Sequence, residues 1–233
     1  MFKYLVAGFL LLFNLQADNK KALEAFKSGN YDKAFKLYEK NAKEGDAVAQ
    51  SALSYLYING LGTDKDVEKS IYWLEKSAQN NNSAAQYDLG MMYLGGQNVK
   101  QDKKKALDFL SKSSKQNNPD AQYNLALMYY NGDGVDLNVT KSADLLESAA
   151  LQGHEIAKQN IGKVYMQLLD FEKAAQWFEK SASAGDESVY YFLAESYCQL
   201  EKFDKAKVWA KKAIESGNQQ AKLLYEEKEL EKY

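Results

Sequence analysis

The side chains that usually carry catalysis are scarce in this sequence and badly spaced for it. His154 is the only histidine, so neither a His-Glu-x-x-His zinc site nor any other pair of imidazoles can form. It follows Gly153, at the place held elsewhere by Asp46, Asn82, Asn118, Asp186 and Asn218, and is expected to start a helix rather than move protons. No Ser-x-x-Lys, Gly-x-Ser-x-Gly or phosphate-loop pattern occurs. Asp133 and Asp136 lack the acidic ligands at alternating positions that calcium requires. Gly60-x-Gly62 and Gly132-x-Gly134 follow no strand, so they are turns and not a dinucleotide fingerprint. These residues give no catalytic group, no metal ligand and no cofactor site. Cys198 stands alone and cannot close an internal disulfide. It is expected to be a small buried hydrophobe, with pairing to another chain as the alternative.

Charge narrows the partners further. Thirty basic residues, all of them lysine, face 32 acidic ones, for a net charge of −2. Planar, bidentate recognition of phosphate or guanine is arginine chemistry, so a nucleic-acid partner is not expected. One modification motif stands out: Asn138-Val139-Thr140 fits the N-glycosylation acceptor rule. Asp136, two residues before Asn138, matches the extended acceptor of bacterial oligosaccharyltransferases. Asn81-Asn82-Ser83 fits only the shorter rule.

What positions these residues is a repeat. Ala49-Gln50-Ser51-Ala52-Leu53 returns at Ala85, Ala121 and Ala157 in steps of 36, then at Val189 and Ala221 in steps of 32. A period in this range marks an array of small units that bury their apolar faces only against one another. Each unit opens with Ala-x-x-x-Leu-x-x-x-Tyr, as in Ala85, Leu89 and Tyr93, which is one face of a helix. A second helix is marked by Lys33-Ala34, Lys69-Ser70, Lys105-Ala106, Lys141-Ser142, Lys173-Ala174 and Lys205-Ala206. Gly45, Asn81, Asn117, Gly153, Gly185 and Gly217 follow eleven residues after the small residue, as left-handed ends of that helix. The two periods differ by four residues in the turn inside the unit. Glycines build it in the long copies, whereas Leu168-Leu169-Asp170-Phe171 and Leu200-Glu201-Lys202-Phe203 close it without them. The chain is therefore expected to be all-α.

Gly45-Asp46-Ala47-Val48-Ala49-Gln50 with Tyr57-Ile58-Asn59-Gly60-Leu61-Gly62, and the stretch from Asp120 to Val135, resemble the Sel-1-like repeat family of the tetratricopeptide superfamily. The resemblance runs from about residue 20 to the end. The first, fourth and fifth units lack the glycine loop and look more like plain tetratricopeptide units. The resemblance implies a right-handed superhelical solenoid of helix-turn-helix repeats that serves as a protein-binding scaffold. In such superhelices, the face of the first helix two, six and nine residues after the alanine lines a concave groove for peptides. Here that face carries Tyr55, Tyr87, Met91, Tyr123, Leu127, Tyr130 and Tyr191, turning polar at Gln159 and Lys163. The competing expectation is that these side chains simply pack on neighbouring helices. Some exported cysteine-rich relatives are described as penicillin-binding or β-lactamase-like. This chain lacks their cysteine pairs, so that activity transfers weakly and enzymatic function is not favoured. A self-associating structural array is the third reading.

The first residues stand outside the repeat. Lys3 and the apolar run Tyr4–Phe13 lead to Asn14-Leu15-Gln16-Ala17, which reads as a signal peptide cleaved after Ala17. The run is short for a membrane span, an uncleaved anchor being the alternative. The expected organisation is a signal peptide at 1–17, a tetratricopeptide-like unit at 18–48 and three 36-residue repeats at 49–156. Two 32-residue units at 157–220 and a charged capping helix at 221–233 complete it. The mature protein is expected in the periplasm or secreted, free of stable membrane insertion, and bound to a protein or peptide of the cell envelope.

Overall fold

The computed structural model describes residues 18–233, and the expected signal segment lies outside the described residues. The described chain opens in helix over 18–27 (α1). There follow α2 (Tyr31–Lys43), α3 (Ala47–Asn59), α4 (Val67–Gln79), α5 (Ser83–Gly95) and α6 (Lys103–Lys115). Then come α7 (Pro119–Asn131), α8 (Val139–Leu151), α9 (Glu155–Gln167), α10 (Phe171–Ser183), α11 (Tyr190–Gln199), α12 (Phe203–Glu215) and α13 (Gln219–Glu227). No strand occurs among the described residues, and none of their helices is long and apolar enough to cross a membrane. The helices fall into two compact units that divide between Asn118 and Pro119. Within each unit consecutive helices pack on one another: α2 through α6 in the first, α7 through α13 in the second.

The Ala-Leu-Tyr stripe is the core face. Ala49, Leu53 and Tyr57 are buried in the first unit, as are Ala157, Ile161 and Tyr165 in the second. The stripe alanine also serves the helix start: Ala49 and Ala85 donate their N–H groups to the side chains of Asp46 and Asn82, which cap α3 and α5. Pro119 occupies the first position of α7, where a missing N–H costs nothing.

One hydrogen bond explains how two loop lengths give one register. The N–H of Asp66, Asp102 and Asn138 donates to the carbonyl of Tyr57, Tyr93 and Tyr129 across the long glycine loop. In the short copies Asp170 and Lys202 make the same bond to Tyr165 and Tyr197. The four extra residues bulge outside a closure that does not change. The lysine series obeys the same closure. Lys69, Lys105, Lys141, Lys173 and Lys205 each hold Nζ within 5.4 Å of the ring centre of Tyr57, Tyr93, Tyr129, Tyr165 and Tyr197. In these five copies the Lys-Ala/Ser motif is thus a cation over the last tyrosine of the preceding helix, adding about 0.5–1 kcal/mol per exposed contact.

Between repeats, Gly45, Asn81, Asn117, Gly153, Gly185 and Gly217 all take positive φ, one residue beyond the helix cap. The following residue donates its N–H back into the helix, as Asp46 does to Asn41 and Asn82 to Ser77. The buried glutamine of Ala-Gln then clasps the repeats. Gln50 Nε2 donates to the Ala42 carbonyl, and its Oε1 accepts from Asn80 at 2.9 Å. Gln86 repeats this with Ala78 and Gln116, and Gln122 accepts from Gln152.

The C-terminus departs from a single capping helix over 221–233. Helix α13 stops at Glu227, Glu229 turns left-handed, and Leu230–Lys232 forms a 3-10 turn. The cause is packing. Leu230 is fully buried, the Lys207 ammonium donates to the Glu231 carbonyl at 3.1 Å, and Tyr233 stacks on Phe203.

Candidate binding groove

Helix α4 packs on both α3 and α5, and these two helices wall a cleft over it of about 380 Å³. Ser51, Ser54, Tyr55 and Ile58 come from α3, Ser70 and Leu74 from α4, and Asp88, Met91 and Met92 from α5. Gln97 and Asn98, in the turn after α5, complete the rim. At the floor the buried hydroxyls of Ser54 and Ser70 satisfy each other at 3.0 Å. Small residues at these facing positions let α3 and α4 approach closely. Tyr55 stays 54% exposed, its ring steadied edge-on by Phe26 of α1 with centroids 6.0 Å apart. An exposed aromatic held by a neighbour loses little rotamer freedom when a partner covers it.

Asp88 brings charge into an otherwise apolar and neutral-polar cleft. No hydrogen bond or ion pair to its carboxylate forms among the described residues. Asp88 is exposed at the edge of the cleft, and the protein surface around it raises its pKa above the ordinary carboxylate value by removing part of its solvation.

Of the side chains that helical spacing placed in one groove, Tyr55 and Met91 meet in this cleft. Tyr87 is half-buried and does not line it. The other four belong to the second unit. Tyr123 is half-buried against that unit's core and stacks on the His154 ring at 4.5 Å, so it is a packing residue there. Leu127 is half-buried and Tyr130 is exposed. Tyr191 packs its edge against Phe192, and burial, with the nearby Glu195 carboxylate, raises the pKa of its phenol. Asp88 and Met92 escaped the spacing argument because they lie beside the expected face, at positions three and seven after Ala85.

The residues considered for chemistry have structural work. His154 caps α9, its Nδ1 accepting from the Ala157 N–H at 3.1 Å, with Nε2 3.5 Å from the Asp120 carboxylate. Cys198 is buried, and burial pushes its thiol up to about 11, so little thiolate exists at neutral pH. Asn138 is exposed but starts α8 rather than sitting within a free loop: its Oδ1 accepts from the Lys141 N–H at 2.9 Å. No cluster of three or more acidic, histidine or cysteine side chains suited to a metal exists among the described residues.

The Sel1 repeat family model matches residues 25–46, 47–82, 83–118, 119–154, 162–186 and 189–218. It therefore takes in, over shorter stretches, the units without glycine loops that look like plain tetratricopeptide units. A Sel1 repeat protein from Oxalobacter formigenes is 26% identical, with 88% of this chain and 84% of that one covered at a TM-score of 0.66. A protective antigen of uropathogenic Escherichia coli strains, displaying an SLR fold, is 30% identical over 89% of this chain, with a TM-score of 0.63. This chain spans about half of that antigen, 47% of its length. No curated protein matches. Six matches in tandem, on helical hairpins that share one loop closure, make this chain a member of the Sel1 repeat family.

Proposed function

We propose that this protein is an interaction scaffold that holds a segment of a partner protein in the cleft between α3 and α5. The observation that carries the reading is the company Tyr55 keeps. An exposed, pre-positioned tyrosine lines, with Ile58, Leu74, Met91 and Met92, a concavity large enough for several side chains. Tyrosine and methionine are enriched in the cores of protein interfaces, and the thioether adapts to irregular surfaces. The repeat supports the same reading, since stacked hairpins present extended binding surfaces. We further propose that the scaffold works outside the cytoplasm, in the cell envelope or beyond it. The basic start and apolar run of residues 1–17 support that placement.

A photo-crosslinking amino acid at position 55 or 91 tests the site in cells of the native host. Crosslinks to a common partner are expected from both positions and not from position 169, which is exposed in the second unit. Once the partner is captured, Tyr55→Ala combined with Met91→Ala should weaken it at least tenfold with helicity unchanged. Capture that survives the double substitution sends the search to another face.

A further inference from the structure

Asp88 is a feature of the cleft that the repeat does not need. The same helical position, three residues after the stripe residue, carries Ala52, Asn124, Asn160 and Phe192 in the other copies. A small, polar or aromatic side chain therefore suffices for the fold. Asp88 caps nothing, because Asn82 caps α5. It has no partner among the described residues, and its surroundings disfavour its charge. Its carboxylate is exposed on the cleft lining, open to a cation carried by whatever enters the cleft.

The chain has ample means to supply that cation itself and does not. It carries 30 basic residues, all lysine. Lys158 and Lys180 line a cleft between α8, α9 and α10, while Lys100 and Lys105 line one beside Tyr93. Lys202 and Lys205 line a third, near Tyr197. None lines the α3–α5 cleft.

Resting on the groove reading above, we propose that this cleft takes a partner segment in which a lysine or arginine stands beside an apolar side chain. The cation meets Asp88 and the exposed face of Tyr55, and the apolar side chain enters among Ile58, Leu74, Met91 and Met92. An aromatic face and a carboxylate together attract a cation more than either alone, and the apolar contacts fix where along the partner it docks.

A random-peptide phage library selected on the full chain, followed by fluorescence anisotropy with the enriched peptides, tests this. Enriched peptides should share a basic residue next to an aliphatic or aromatic one. Asp88→Asn should weaken them roughly tenfold, the scale of losing one partner of a charge pair that the bound peptide covers. Thermal melting of Asp88→Asn should be no lower than that of the parent. Asp88→Lys should reverse the selection towards acidic peptides.

Enriched peptides without a basic residue overturn the cation claim and leave the groove standing. So do basic peptides that ignore Asp88→Asn but are lost with Tyr55→Ala and Met91→Ala. Peptides indifferent to all three substitutions, or no enrichment over bare resin, overturn the groove reading and this proposal with it. An Asp88-dependent dimer in sedimentation would make the occupant a second copy and also overturn it.

Discussion

Leu169 holds a backbone conformation that leucine disfavours. Its φ is +59° just past the end of α9, and its side chain is 73% exposed, so packing offers little in return. The left-handed conformation costs an L-residue about 1–2 kcal/mol, and glycine adopts it freely at some cost in unfolded-chain entropy. Leu169→Gly should therefore stabilise by about 0.5–1 kcal/mol, read from the urea midpoint. A lower midpoint would show that the exposed leucine packs in a way its burial does not suggest. Tyr165 and Tyr197 give a second residue-scale test. Burial, and then hydrogen bonds to Glu147 and Glu179, hold both phenols well above the ordinary tyrosine value. A raised folded-state pKa stabilises fully below the unfolded value of about 10 and is lost as pH rises past it. Stability should fall from about pH 10 upward, and the double variant Tyr165→Phe/Tyr197→Phe should flatten that fall while being less stable at neutral pH. An equally steep alkaline decline in the variant would remove these tyrosines from the account.

Between elements, the closeness of α9 and α10 rests on Gly162. A Cβ there would lie 2.5 Å from the Phe178 ring, and Phe178 is almost fully buried. In an exposed helix Gly→Ala stabilises by up to about 1 kcal/mol. Here the sign should reverse, and Gly162→Ala should destabilise by about 1–3 kcal/mol because neither the ring nor the helix can withdraw. Equal or higher stability on thermal melting would show that the pair is looser than it looks. The helices themselves were legible because a period of 36 aligns apolar stripes, caps and left-handed residues in several copies at once. The clasp of Gln50, Gln86 and Gln122 was present in the sequence yet silent, since a buried amide and an exposed one look alike until the partner, thirty residues on, is placed. Tyr55 and Met91 could be placed by helical spacing alone. Tyr123 could not, because its fate is decided by His154 at the start of the next repeat. Asp88 was illegible for another reason: an exposed acid on a helix says nothing of a cleft beside it until the neighbouring helices are placed.

At the scale of the whole molecule, the remaining question is where the array starts and where it works. Asp18 and Asn19, the first described residues, are already fastened to the fold. Asp18 bonds Lys40 of α2 at 3.1 Å, and the Lys40 and Lys21 ammonium groups hold its carboxyl below the usual range. Asn19 donates to the Asp46 cap of α3 and accepts from the buried Asn41. A cut after Ala17 leaves all of these bonds intact, whereas a cut beyond Asn19 would strip the Asn41 amide of its acceptor and leave a buried donor unpaired. Leaving such a group unpaired costs about 1–3 kcal/mol. If the chain is exported, processing and folding therefore agree on one residue. Protein isolated from the envelope of its host should begin Asp18-Asn19-Lys20 in N-terminal sequencing, and replacing Ala17 with a bulky residue should leave a larger, unprocessed form. A chain in the envelope that still begins at Met1 would defeat cleavage after Ala17 and leave the uncleaved anchor in its place. One that begins after Asn19 would keep export but require Asn41 to find another partner.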